Sequence, residues 1–119
     1  MSKHILIVED DQNIAKLIDE IVKRRGYSSV VASNGEQAYR LFGEKNFDLI
    51  ITDLKMPKID GMTLIKMVRE KNTSIPIIII TGYGSEKSHK LAKSYGVFHI
   101  LSKPCSIMDI SRAIDEAFQ

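Results

Sequence analysis

Along the chain, short runs of branched apolar residues alternate with longer segments whose apolar positions recur every three or four residues. The short runs fall at residues 5–8, 28–32, 49–51, 77–80 and 97–101. They are rich in Ile and Val, and most lack an in-and-out alternation, which predicts strands covered on both faces. Between them, Ile14, Leu17, Ile18, Ile21 and Val22 form one helical stripe, closed by Lys23-Arg24-Arg25 and Gly26. Asn34-Gly35 opens a second helix that carries Ala38, Leu41 and Phe42. Leu64, Ile65 and Val68 mark a third, and Leu91-Ala92 with Tyr95 a weaker fourth. Ile107, Ile110, Ile114, Ala117 and Phe118 form the last. Five strands alternating with five helices predict βαβ units: an α/β, doubly wound, five-stranded parallel sheet with helices on both faces.

In such sheets the functional site lies beyond the carboxyl ends of the strands, near the point where strand order reverses. The residues that follow each strand therefore matter most. Glu9-Asp10-Asp11 follow the first, Thr52-Asp53 the third, Thr81-Gly82 the fourth and Ser102-Lys103-Pro104 the fifth. The second strand is followed only by Ser33-Asn34, a helix cap. Three or four carboxylates, a hydroxyl and an ammonium thus converge at one edge.

Composition narrows the classes without naming one. The 119 residues carry a net charge of +2, with basic side chains scattered rather than blocked, so no nucleic-acid or membrane footprint is present. The length fits a single domain over residues 1–119, and no linker, repeat or low-complexity segment interrupts it. No segment reads as a signal peptide or a membrane span. The single cysteine, Cys105, has no internal partner for a disulfide, which points to a reducing, cytoplasmic setting.

Close carboxylates repel unless a cation neutralises them. A hard divalent ion bound through oxygens is the natural partner, and Mg²⁺ fits because it takes one or two carboxylates and leaves room for phosphate oxygens. Asp10 and Asp53 are the expected direct ligands, with Glu9 direct or through water and the Lys55 backbone carbonyl completing the set. His4, His89 and His99 are dispersed, so a zinc site is not expected. Asp11 reads as the cap of the first helix rather than a ligand. A carboxylate beside Mg²⁺, a hydroxyl and an ammonium can accept a phosphoryl group, and Asp53, at the end of the central strand, is the expected acceptor.

The runs Ile5-Leu6-Ile7-Val8-Glu9-Asp10-Asp11, Asp53-Leu54-Lys55-Met56-Pro57-Lys58-Ile59-Asp60-Gly61, Thr81-Gly82-Tyr83-Gly84 and Ser102-Lys103-Pro104 together resemble the receiver domains of two-component response regulators. The resemblance spans essentially the whole chain. It implies a flavodoxin-like strand order of 2-1-3-4-5, an acid pair at Glu9 and Asp10, and phosphorylation of Asp53. It makes Thr81 the switch hydroxyl and Lys103 the phosphate-contacting lysine, followed by a cis Lys103-Pro104 peptide. It further implies a signalling switch rather than an enzyme, with a sensor histidine kinase or histidine phosphotransfer protein as donor. The output would be a conformational change of the face made by the fourth helix, fifth strand and fifth helix, in a monomer or a weak homodimer through that face. A chain that ends at Phe118-Gln119 fits both a free-standing receiver and a piece of a longer regulator.

Two positions depart from the commonest pattern. The acid pair is Glu-Asp rather than Asp-Asp, which keeps the metal chemistry. Ile100 stands where receivers place an aromatic that moves with the threonine, and Phe98, two strand residues away, is about 6–7 Å off. A receiver-like module not regulated by phosphorylation is therefore the alternative. Two other aspartate or phosphate chemistries are weaker. A flavodoxin-type phosphate cradle would need small residues where Glu9-Asp10-Asp11 stand. A haloacid-dehalogenase phosphatase needs a second aspartate where Lys55 stands, so the phospho-form should persist. Lys55 and Tyr83 are expected to overhang the path of an attacking water and slow hydrolysis.

Overall fold

A computed structural model describes residues 3–119. Five parallel strands, β1 (His4–Val8), β2 (Ser28–Ala32), β3 (Leu49–Thr52), β4 (Ile77–Thr81) and β5 (His99–Ser102), lie in the order β2-β1-β3-β4-β5. The helices α1 (Gln12–Arg24), α2 (Gly35–Glu44), α3 (Gly61–Lys71), α4 (Glu86–Ser94) and α5 (Ile107–Ala117) alternate with them. This is the doubly wound, flavodoxin-like architecture that the sequence pattern predicts.

Strand parity divides the core into two layers. Leu6, Val8, Ile50, Ile77 and Ile79 face one way, onto Ala38 of α2, Leu64, Ile65 and Val68 of α3 and Ala92 of α4. Ile5, Ile7, Leu49, Ile51, Ile78 and Ile80 face the other, onto Ile18, Ile21 and Val22 of α1 and Ile110 and Ile114 of α5. The central strands β1, β3 and β4 are accordingly buried almost throughout, which is why they read as unbroken apolar runs.

The outer strands differ from that expectation. β2 and β5 sit at the two edges with one neighbour each and are only half covered. β5 also starts at His99 rather than at residue 97. Gly96 holds a left-handed backbone (φ 74°) after α4, and the next two residues serve to re-enter the sheet, where pairing with β4 begins at Ile78 and His99.

Helix starts follow cap chemistry. Asp11, Asn34, Asp60, Ser85 and Ser106 each accept a backbone N–H of the first turn of α1 to α5 in turn. α1 closes with Gly26 at φ 86°, as its sequence predicts.

Candidate functional site: an acidic pocket at the carboxyl edge of the sheet

Strand register assembles the site. Val8 pairs with Thr52 across β1 and β3, so Glu9 and Asp53 emerge side by side. The ladder extends one step further, with the Asp53 N–H donating to Val8 O at 3.1 Å. Thr81 pairs with Ser102 across β4 and β5, and the Lys103 N–H donates to Thr81 O at 2.9 Å. Because all the strands run the same way, the four chain segments end on one edge, with the reversal of strand order between β1 and β3 at its centre.

The side chains converge on Asp53. Its Oδ1 accepts the Thr81 hydroxyl at 2.5 Å and the backbone N–H groups of Leu54 at 2.6 Å and Lys55 at 3.3 Å. Its Oδ2 accepts Lys103 Nζ at 2.6 Å, and the same ammonium donates to Glu9 Oε1 at 2.7 Å. The Asp11 N–H donates to Glu9 Oε2 at 3.1 Å, while the Asp11 carboxylate turns away to cap α1. Glu9, Asp53 and Thr81 are buried; Asp10 is exposed at the rim. The cluster floors an open cavity of about 740 Å³, whose walls include Lys55, Met56, Pro57 and Tyr83.

Electrostatics separate the two buried acids. Burial pushes the Glu9 carboxyl up, and one bond each from Lys103 and the Asp11 N–H offsets this only in part. Burial acts on Asp53 in the same direction, but the bonds from Lys103 and Thr81 and the Lys55 N–H outweigh it. Its carboxyl stays below the ordinary carboxylate value. Lys103 loses hydration by burial, yet the two acids hold its ammonium above the ordinary lysine value. Asp53 is thus the more readily ionised and the more heavily bonded acid of the pair.

One carboxylate oxygen each from Glu9, Asp10 and Asp53 lies within 4.8 Å of the other two. Two oxygens on one Mg²⁺ stand roughly 3–4 Å apart, given ligand distances of about 2.0–2.1 Å. A small side-chain rotation or one bridging water closes the difference, so a hard, oxygen-seeking ion fits this donor set.

Glu9, Asp10, Asp53, Thr81 and Lys103 are brought together as the sequence predicts, and Lys55 lies on the cavity wall. The Lys103-Pro104 peptide is cis. Ile100 packs half-buried against the α2–α3–α4 layer, whereas Phe98 precedes β5, is 46% exposed and stands T-shaped to the His99 ring, with 5.6 Å between the ring centroids. Phe98 therefore does not fill the place of an aromatic at position 100.

Two supporting glycines were less visible in the sequence. Gly61 begins α3 directly against the acceptor segment: a Cβ there would lie 2.0 Å from Asp53 O and 2.7 Å from Leu54 Cα. Gly35 begins α2 against the loop after Asp53, where a Cβ would lie 2.1 Å from Ile59 O. A sequence signal existed only for Gly61, in Asp60-Gly61; Gly35 read as nothing more than a helix start.

The family model for the response regulator receiver domain matches residues 5–115. The chain is 35% identical over 116 residues to the transcriptional regulatory protein GlrR of Escherichia coli (strain K12), covering 98% of this chain and 26% of that protein. It is 32% identical over 114 residues to sporulation initiation phosphotransferase F of Bacillus subtilis (strain 168), covering 96% of this chain and 92% of that one. It thus spans only about a quarter of the first of these relatives and nearly all of the second. Among solved structures, a response regulator receiver domain protein from Clostridium thermocellum superposes with a TM-score of 0.89 at 32% identity, over 97% of this chain and 93% of that one.

Proposed function

Because the chain belongs to the response regulator receiver family, we propose that it is the phospho-acceptor of a two-component or phosphorelay system and that Asp53 takes the phosphoryl group. The observation that carries this reading is the setting of Asp53. It is an ionised carboxylate 7% exposed at the floor of a cavity, touched at once by a hydroxyl and an ammonium.

An Asp53 carboxylate oxygen attacks the phosphorus of a phosphohistidine on a sensor histidine kinase or a histidine phosphotransfer protein. The P–O bond forms as the P–N bond breaks, and the bonding pair returns to the imidazole nitrogen. Mg²⁺, held by Asp10, Asp53, the Lys55 backbone carbonyl and Glu9 directly or through water, would neutralise charge on the transferring oxygens. Lys103 and Thr81 already touch Asp53, so a phosphoryl group built there falls within reach of both donors. Thr81 also accepts the Tyr83 N–H at 3.0 Å, so a turn of its hydroxyl onto a phosphoryl oxygen alters the loop that leads into α4. The signal then passes to the α4–β5–α5 face, through which the domain works as a monomer or a weak homodimer. With Ile100 in place of an aromatic, the β4–α4 loop carries more of that coupling than β5 does.

Members of this family are signalling switches rather than turnover enzymes, and this chain has a lysine, not an acid, two residues beyond the acceptor. In this reading the domain meets its phosphoryl donors in the cytoplasm. No helix of the described residues is long and apolar enough to cross a membrane.

Incubation with acetyl phosphate and Mg²⁺, followed by intact-mass analysis, tests the assignment. One added phosphoryl group is expected, absent in Asp53→Asn and absent when EDTA removes the metal. A modification that survives Asp53→Asn overturns it.

A further inference from the structure

Ile100 stands where receivers carry an aromatic, and a cavity of about 400 Å³ opens between α4 and β5 beside it. Ile100 and Ser102 line this cavity from β5, and His89 lines it from α4. An apolar cavity of about 150 Å³ already holds a benzene molecule, so there is room here for a ring. Strand register runs the cavity up to the switch: Ile100 pairs with Ile79 and Ser102 with Thr81.

His89 also meets the loop that Thr81 controls. Thr81 Oγ1 accepts the Tyr83 N–H at 3.0 Å, and the next residue, Gly84, abuts the first turn of α4. A Cβ on Gly84 would lie 3.1 Å from His89 Nε2, 3.4 Å from its Cδ2 and 3.0 Å from Ser88 Oγ. Ser88 is committed to the helix start: its hydroxyl accepts the Ser85 N–H at 2.8 Å, and its own N–H donates to Ser85 Oγ at 3.2 Å. The half-buried His89 thus both abuts the loop and lines the cavity. Two neighbouring rings are placed elsewhere. Phe98 lines the same cavity, but its N–H donates to Ile77 O, at the far end of β4 from Thr81. Four strand residues separate those ends, about 13 Å. Tyr83 faces the acidic pocket, with Lys55 Nζ 5.4 Å from its ring centroid.

We infer that His89 is a positioning residue that links the β4–α4 loop to β5, in the place of the aromatic absent at position 100. This rests on the reading of Asp53 as phospho-acceptor and Thr81 as its switch. As the Thr81 hydroxyl turns to a phosphoryl oxygen, the Tyr83 N–H loses its seat and Gly84 moves against a ring rather than against solvent. Close-packed groups transmit such a displacement instead of absorbing it. The ring has open space on the β5 side and is driven toward Ile100 and Ser102. Ile100, branched at Cβ, is stiff about χ1 and cannot sweep the cavity itself. Packing carries the link, so another ring at position 89 serves as well as histidine.

Backbone amide NMR at one pH, before and after addition of acetyl phosphate and Mg²⁺, tests this, with intact mass reporting the phosphoryl group. In the wild type, resonances of residues 82–85 and 99–102 should both shift. His89→Ala should keep the shifts at 82–85 and reduce those at 99–102 by at least about twofold, the size of a modest coupling. His89→Phe, which keeps a ring, should respond like the wild type at both segments. Undiminished shifts at 99–102 in His89→Ala, or an equal loss at both segments, overturn the inference and leave the phospho-acceptor reading standing. So do a wild type that shifts at 82–85 alone and a His89→Phe response as weak as that of His89→Ala. A wild type that gains no mass sinks the phospho-acceptor reading, and this inference with it. Should His89→Ala fail to fold, His89→Gln reads the same split.

Discussion

A methyl group placed on Gly61 tests whether the backbone beside Asp53 is built as tightly as the geometry implies. The ideal Cβ would lie 2.0 Å from Asp53 O, 2.7 Å from Leu54 Cα and 2.9 Å from Asp53 C. Even close C–H···O contacts stay near 3.3 Å, so the main chain must open by more than ~1 Å. None of the three atoms belongs to a flexible side chain. The Gly61 N–H also donates to Leu54 O at 2.8 Å, and the opening stretches that bond. Two effects oppose. Ala favours a helix over Gly by up to about 1 kcal/mol, less in a first turn. Overpacking costs about 1–3 kcal/mol and the strained hydrogen bond about 1 more. The clash wins, and Gly61→Ala should lose about 1–3 kcal/mol in urea denaturation. Because the displaced carbonyl is that of Asp53, phosphorylation by acetyl phosphate should slow by about 10²-fold, the usual penalty for misplacing a reacting group by about 1 Å. The same substitution elsewhere supplies the controls. Gly43, in α2, has nothing within 4 Å of its Cβ, so Gly43→Ala should gain about 0.4–1 kcal/mol. Gly26 is equally open but sits at φ 86°, so Gly26→Ala should lose about 1–2 kcal/mol with its phosphorylation rate unchanged. A Gly61→Ala protein as stable and as quickly phosphorylated as the wild type would refute the reasoning.

Arg69 should matter to the fold rather than the chemistry. Its guanidinium, on α3, donates to the carbonyls of Tyr95 at 2.6 Å, Ile75 at 2.7 Å, Gly96 at 3.1 Å and Asn72 at 3.2 Å, tying the entries to β4 and β5 together. Arg69→Ala should cost about 2–4 kcal/mol in denaturant melts, and Arg69→Lys should recover less than half of that, since one ammonium cannot span four carbonyls. Asp19 gives a pH signature. Burial pushes its carboxyl up, but bonds from Lys23 and the Ser29 hydroxyl outweigh this and hold it below its ordinary 3.8. A lowered folded-state value means stability present above the unfolded value and lost as pH falls through the folded one. Asp19→Asn should therefore be less stable than the wild type at pH 7, with the gap closing as pH falls below the ordinary aspartate value of 3.8; a gap independent of pH counts against the pairing. Lys55 Nζ lies 5.4 Å from the Tyr83 ring centroid at the mouth of the cavity. Lys55→Ala should shorten the lifetime of the phosphorylated form in a decay assay, and an unchanged decay rate removes Lys55 from the path of the attacking water.

How much of this was readable in the sequence depends on whether a residue's role is set by its neighbours in the chain or across the fold. The buried strands β1, β3 and β4 announce themselves because both faces meet helices, leaving polar residues only at their ends, His4, Thr52 and Thr81. The edge strands do not, since half of each side faces solvent and the apolar signal thins; at β5 the turn after Gly96 was absorbed into the predicted strand. Glu9, Asp10, Asp53, Thr81 and Lys103 were found without any contact map. Parallel strands deliver whatever follows them to one edge, so position after a strand stands in for position in space. Arg69 had no such signal: its partners are backbone carbonyls, which every residue carries. Nor did the seat of Lys103, whose acids lie 94 and 50 positions away. That lysine shows the limit most plainly. Placing it at the edge requires only the order of the strands, but its choice between phosphate, metal and carboxylate is a matter of 1–2 Å. The helix-and-strand pattern fixes which charges meet, and the side-chain packing around Glu9 and Asp53 decides which of them holds the other when no phosphoryl group is there.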